Sequence, residues 1–158
     1  MRNKREALAL TIALLVPLAA GGVGGVVTAR SVSTWYRALD KPRWTPPGWL
    51  FGPAWTALYA LMGTASWLVW RSRDERAPQA LRLYGLQLGL NTVWSLIFFG
   101  LRRLDLALVE LAALWAAILA TTVAFLRIKP VAGALMLPYQ AWTTFAGALN
   151  ASVWRRNR

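Results

Sequence analysis

The chain contains neither cysteine nor histidine. Without cysteine there is no disulfide, no thiolate nucleophile and no sulfur ligand for zinc or iron. Without histidine the common zinc sites, imidazole-ligated haem and the usual general base near neutral pH go too. Acid is scarce as well, with six Asp and Glu against 18 Lys and Arg and a net charge of +12. No metal is expected, and composition already weighs against a metal-dependent or hydrolytic enzyme.

Long stretches lack charge of either sign. Ala7 to Ala29, Trp44 to Trp70, Leu83 to Leu101 and Pro130 to Trp154 carry none, and Leu106 to Leu126 is interrupted by Glu110 alone. Each is long enough to cross a bilayer core, which takes about 20 apolar residues as a helix. With 57% hydrophobic and 15% charged residues in 158, the expected solvent is lipid. The expected fold is all-α, an integral membrane bundle of five transmembrane helices forming a single domain, 1–158. The helices are placed at about 6–28, 49–71, 79–101, 105–127 and 130–154, with a lid loop at 29–48 that Pro42, Pro46 and Pro47 keep from regular helix.

In a water-soluble chain the basic excess would point to nucleic acid. Here the Lys and Arg lie in the tails and connections, where they anchor at lipid headgroups, so membrane lipid is an expected partner and nucleic acid is not. Counting Arg71 to Arg82 as the second connection, nine fall on each side of the five-helix arrangement, so the positive-inside rule gives no orientation. The basic start followed by an apolar run also resembles a signal peptide, but the run continues to Ala29 and a retained first helix is expected.

Tryptophan is the conspicuous surplus. Six of ten fall between Trp35 and Trp70, and such a cluster beside apolar runs marks either a membrane interface or a flat aromatic binding surface. Trp44 and Trp49, among prolines and beside Arg43, fit an interface and lid, whereas Trp55 shares a helix face with Tyr59 and Ser66. The third helix repeats Gln87, Asn91, Trp94 and Phe98 in steps of four, three and four, and the fifth repeats Tyr139, Trp142, Ala146 and Asn150. These polar-aromatic stripes suit a shared intramembrane cavity and plain helix packing about equally. Gly85 and Gly89 point away from Asn91 on the third helix. They are a candidate homodimer seam, with intrachain packing the alternative. Glu110 reads as an interfacial acid near the start of its helix more readily than as a proton-coupling group.

The run Trp35-Tyr36, Leu39, Lys41-Pro42, Trp44, Pro46-Pro47, Trp49, Pro53, Trp55, Leu58-Tyr59 and Met62-Gly63 resembles the TspO/MBR family of tryptophan-rich sensory and translocator proteins. Gln87-Leu88, Leu90-Asn91, Trp94-Ser95, Phe98-Phe99-Gly100, Pro138-Tyr139, Trp142 and Leu149-Asn150 extend the resemblance. It implies a five-helix bundle, commonly homodimeric, whose first loop closes a pocket for tetrapyrroles such as protoporphyrin IX. The pocket residues it implies are Tyr36, Trp55, Tyr59, Asn91, Trp94, Phe99, Trp142, Ala146 and Leu149. The porphyrin is implied as ligand, with no obligatory cofactor. Cholesterol binding is not expected, because the Tyr of the family's sterol pattern is missing from Leu149-Asn150-Ala151-Ser152-Val153-Trp154-Arg155.

The leading functional expectation is a multi-pass sensor or regulator in a bacterial cell membrane that binds porphyrin between tryptophans. The lack of His and Cys favours the metal-free ring over axially ligated haem. Two alternatives remain at this point. One is a light- and oxygen-dependent porphyrin-degrading enzyme, for which the resemblance offers Trp55 and Trp142 as the residues concerned. The other is a transporter of porphyrin or another amphipath.

Overall fold

A computed structural model describes residues 2–32 and 34–158, the Arg2 side chain excepted. Every regular element in it is helical: α1 (Arg2–Val32), α2 (Trp35–Ala38), α3 (Gly48–Ser72), α4 (Ala77–Ser95), α5 (Leu104–Ile128) and α6 (Pro130–Arg156). A π-helical turn, Leu96–Gly100, continues α4. The expected third helix, 79–101, is therefore two conformations in series. The expected lid loop, 29–48, is shorter than predicted because α1 runs four residues past 28 and α2 forms ahead of Pro42. The prolines confine irregular backbone to the stretch between α2 and α3.

Helix ends follow local chemistry. Pro130 opens α6 and Pro78 sits in the first turn of α4, where a missing N–H costs nothing. α3 closes on Arg73 in the left-handed conformation (φ 55°), and Arg102 (φ 58°) turns the chain between the π turn and α5. Beyond α3, Arg76 donates to both Asp74 carboxylate oxygens, at 2.9 and 2.8 Å, and to the Arg127 carbonyl at 3.0 Å. Those hydrogen bonds hold the Asp74 carboxyl down at about 2 and strap the α3–α4 connection to the end of α5.

The core lies along α3, α4, α5 and α6, where Met62, Ala65, Val69, Leu114, Ile118, Phe125, Met136 and Tyr139 are buried. α1 lies outside, against α3 and α4. Glycine sets how close it comes. A Cβ on Gly63 would stand 2.5 Å from the Ala13 carbonyl oxygen, and one on Gly21 would enter the Tyr59 ring. Gly22 and Gly25 of the same α1 run face open space.

The outer surface is apolar. Leu8, Ile12, Leu15, Val16, Val23 and Val26 of α1 are half exposed or more, and so are Leu86, Val109, Val131 and Leu137 elsewhere. Such a surface in water would be a large adhesive patch, whereas in hydrocarbon it is the solvated face. By length and composition α1 and α5 are each apolar enough to cross a membrane. α3, α4 and α6 are interrupted by Trp, Tyr, Gln, Asn and Pro, residues that lower hydropathy whether they face lipid or core.

These contacts make a stability prediction. Gly63→Leu forces α1 off α3 at a backbone contact that cannot give way, and is expected to cost about 1–3 kcal/mol. Gly22→Ala meets nothing and is expected to be neutral. Helix melting in detergent, followed by circular dichroism, measures both; equal melting of the two variants would refute the close α1–α3 approach.

Candidate functional site

Asn91 is the polar centre. It is 2% exposed, and its amide accepts from the Tyr59 hydroxyl at 2.8 Å and donates to the Tyr139 hydroxyl at 3.0 Å. One side chain of α4 thus ties α3 to α6. A buried amide left unpaired would cost about 1–3 kcal/mol, so the two phenols fix its orientation and their own.

Aromatic rings surround this chain of hydrogen bonds. Trp55 stacks on Tyr59 with ring centroids 5.4 Å apart, and meets Tyr139 and Trp142 edge-on at 6.1 and 6.4 Å. Phe51 and Phe145 also contact Trp142, and Trp44 packs from the loop onto Phe145 at 5.8 Å. Gly21 matters here as well, since its bare backbone covers the Tyr59 ring from α1.

A second aromatic group sits at the π turn. Widening the helix by one residue places Phe98 and Phe99 with centroids 4.7 Å apart, and both meet Tyr36 of α2, at 6.1 and 5.7 Å. Trp35 packs on Phe98 at 5.9 Å. The turn also leaves the Phe99 carbonyl available to the Ser31 hydroxyl of α1, at 2.6 Å. Burial raises the Tyr36 phenol above its ordinary pKa. Trp94 joins the two groups, lying against Phe98 and Phe99 while packing on the main core.

The residues expected at the site fall into these two groups. Trp55, Tyr59, Asn91, Trp142 and Ala146 belong to the first, Tyr36, Phe99 and Leu149 to the second, and Trp94 to both. Sequence reasoning did not place Phe51, Phe145 and Trp35, although Phe51 lies four residues before Trp55 and Phe145 three after Trp142 on the same faces. The rings touch one another, so they fill the space between α3 and α6. A cavity of about 500 Å³ opens elsewhere, between α4 and α5.

Other candidates separate by burial. Asn150, with its amide oriented to satisfy both partners, donates to the Leu104 carbonyl and accepts from the Leu108 N–H, each at 3.2 Å. It joins α6 to the start of α5. Gln87 is fully buried, yet neither amide atom has a hydrogen-bond partner among the described residues. Both Glu110 oxygens are likewise shut from solvent without a partner there, and the indole N–H of Trp94 is a third such group. The Glu110 carboxyl thus faces the bundle, in the second turn of α5. Gly85 and Gly89 are exposed, on the face of α4 opposite Gln87 and Asn91. Trp49 is 74% exposed and Trp44 50%. Among the described residues no cluster of three acids offers a metal site.

The loop over the aromatic groups is clasped from the far end of the chain. Asn157, just beyond α6, accepts from the Asp40 N–H at 3.0 Å and donates to the Asp40 carbonyl at 2.9 Å; Arg156 adds an ion pair to Asp40 at 3.5 Å. Lys41 gathers the carbonyls of Tyr36, Arg37 and Leu39 within 3.1 Å, closing α2. Asn157→Ala removes both clasp hydrogen bonds, about 1–2 kcal/mol in all. Tryptic cleavage after exposed Arg43 is expected to accelerate about ten-fold, and an unchanged rate would show that the clasp does not hold the loop.

The TspO/MBR family model matches residues 13–155, from the first helix to the end of the last. The tryptophan-rich protein TspO of Archaeoglobus fulgidus is 41% identical over 150 residues, 95% of this chain and 97% of that protein. The human translocator protein is 47% identical over 126 residues, 78% of this chain and 75% of its own length. Protein CrtK of Rhodobacter capsulatus is 40% identical over 152 residues, covering 95% of this chain and 94% of that one. The matched region holds the Asn91 junction, both aromatic groups and the loop that covers them, and on that coverage the chain belongs to the TspO/MBR family of membrane proteins.

Proposed function

We propose that the protein is a five-span sensor or regulator of a bacterial cell membrane that binds a flat tetrapyrrole, protoporphyrin IX or a close relative, within the bundle. The observation that carries the binding reading is the convergence of Trp55, Tyr59 and Trp142 around the buried Asn91 amide. Indole and phenol faces stack on an extended planar ring, and a single hydrogen-bonding amide supplies orientation without burying a charge. Because the rings touch, a ligand enters by taking the place of ring–ring contacts, with Trp142 turning from Trp55 and the clasped loop giving way. The names of the relatives, tryptophan-rich sensory protein and translocator protein, accord with a ligand-responsive role.

Five spans are supported by length. α3, α5 and α6 have 25, 25 and 27 residues, about 38–40 Å at 1.5 Å per residue, more than the roughly 30 Å of a hydrocarbon core. α1 is longer, and α4 with its π turn continues from Ala77 to Gly100. A homodimer through Gly85 and Gly89 is part of the same proposal. Its support is that a Cβ at either glycine would meet nothing within 4 Å, beside exposed Leu86 and Val93.

Titration of the detergent-solubilised protein with protoporphyrin IX, read by tryptophan fluorescence, tests the binding. Quenching is expected in wild type, with affinity about ten-fold weaker in Trp55→Ala and Trp142→Ala, the order of one lost stacking wall. Trp49→Ala, at an exposed ring, is expected to bind as wild type. Absence of quenching, or equal affinity in all four proteins, would refute the proposal.

A further inference from the structure

The cavity between α4 and α5 lies away from the aromatic groups. It opens to the outside at the end of the bundle where α4 begins and α5 ends, and its volume is about 500 Å³. Its floor is cut by Ala116, Ala120 and Ala124, which recur every four residues and so share one face of α5. Leu83 of α4 and Leu119 of α5 form apolar walls. At the mouth are two cations. Arg76 is fixed there by its hydrogen bonds to Asp74 and to the Arg127 carbonyl. Arg127 has no carboxylate partner among the described residues, and Lys129 follows two positions on. The first turn of α4, the positive end of that helix, lines the same mouth through Gln79 and Ala80.

Shape and charge together select an occupant. From Arg127 to Ala116 the groove runs eleven residues of helix, about 17 Å, close to the roughly 15 Å depth of one leaflet's hydrocarbon. A single hydrocarbon chain fits within that length and volume. The apolar floor extends one leaflet deep and the unpaired cation stands at headgroup level.

We infer that this groove holds an acyl chain of an anionic phospholipid, with its phosphate against Arg127. The inference rests on the membrane-spanning reading above and is independent of porphyrin binding. The lipid fills a seam between α4 and α5 that the alanines leave open, and its headgroup bridges the α3–α4 connection to the α5–α6 turn.

Native mass spectrometry tests this on protein extracted from vesicles of equal parts phosphatidylglycerol and phosphatidylcholine. Wild type is expected to retain phosphatidylglycerol about five-fold over phosphatidylcholine, the preference one interfacial cation confers. Arg127→Gln is expected to bring the two lipids near parity, and Ala120→Leu, which fills the floor, to lose both. Arg155→Gln, a charge removed at the opposite end, is expected to behave as wild type. Ala120→Leu is compared only if it melts as wild type does; Arg127→Gln carries the test alone otherwise. Equal retention of both lipids by wild type overturns the inference, as does a preference that survives Arg127→Gln, or a lipid-free dimer that Ala120→Leu dissociates. A chain that partitions into the aqueous phase of a detergent phase separation overturns the membrane reading itself, a result distinct from any of these.

Discussion

Much of the molecule hangs on the hydrogen bonds at Asn91. Three helices are joined at one depth by an amide lying between two phenols. In hydrocarbon the hydrophobic effect gives no reason for one helix to choose a particular rotation against its neighbour, because lipid tails are as apolar as leucine. A buried polar group does give one, since rotating it out of register leaves donor and acceptor unpaired. With α3 and α6 locked in azimuth through Tyr59 and Tyr139, Trp55 and Trp142 must face each other. Gly21 is then required opposite Tyr59, and the contact of α1 follows from that.

Much of this was legible in the sequence, and the reasons differ by element. The charge-free runs mark where helices lie, because lipid-facing and core-facing positions are both apolar and Lys and Arg gather in the connections and near helix ends. The stripes through Gln87, Asn91 and Trp94 and through Tyr139 and Trp142 gave the inward faces, because period alone determines which residues share a side of a helix. Gly85 and Gly89 could be set opposite Asn91 on the same ground.

The remainder was out of reach because it depends on backbone geometry or on distant chain segments. Nothing in Leu96-Ile97-Phe98-Phe99-Gly100 announces a π turn, yet that extra residue is what turns Phe98 and Phe99 together toward Tyr36. Whether Gln87 would find a partner could not be read from its place on the stripe, and the structure gives it none among the described residues. Glu110 was read from its nearness to the start of α5, while its burial is decided by which side of that helix meets α4 and α6. The clasp joins Asp40 to Asn157 across 117 residues, a pairing that no local pattern encodes.

That clasp has a practical consequence. An affinity handle or fluorescent protein inserted directly after Arg158 begins one position from the side chain that holds the loop shut. Tension, bulk or charge in such a fusion is delivered directly to Asp40. A binding measurement made on such an insertion therefore reports the loop's freedom as well as any affinity, whereas an insertion ahead of α1 leaves Asn157 and its partner undisturbed.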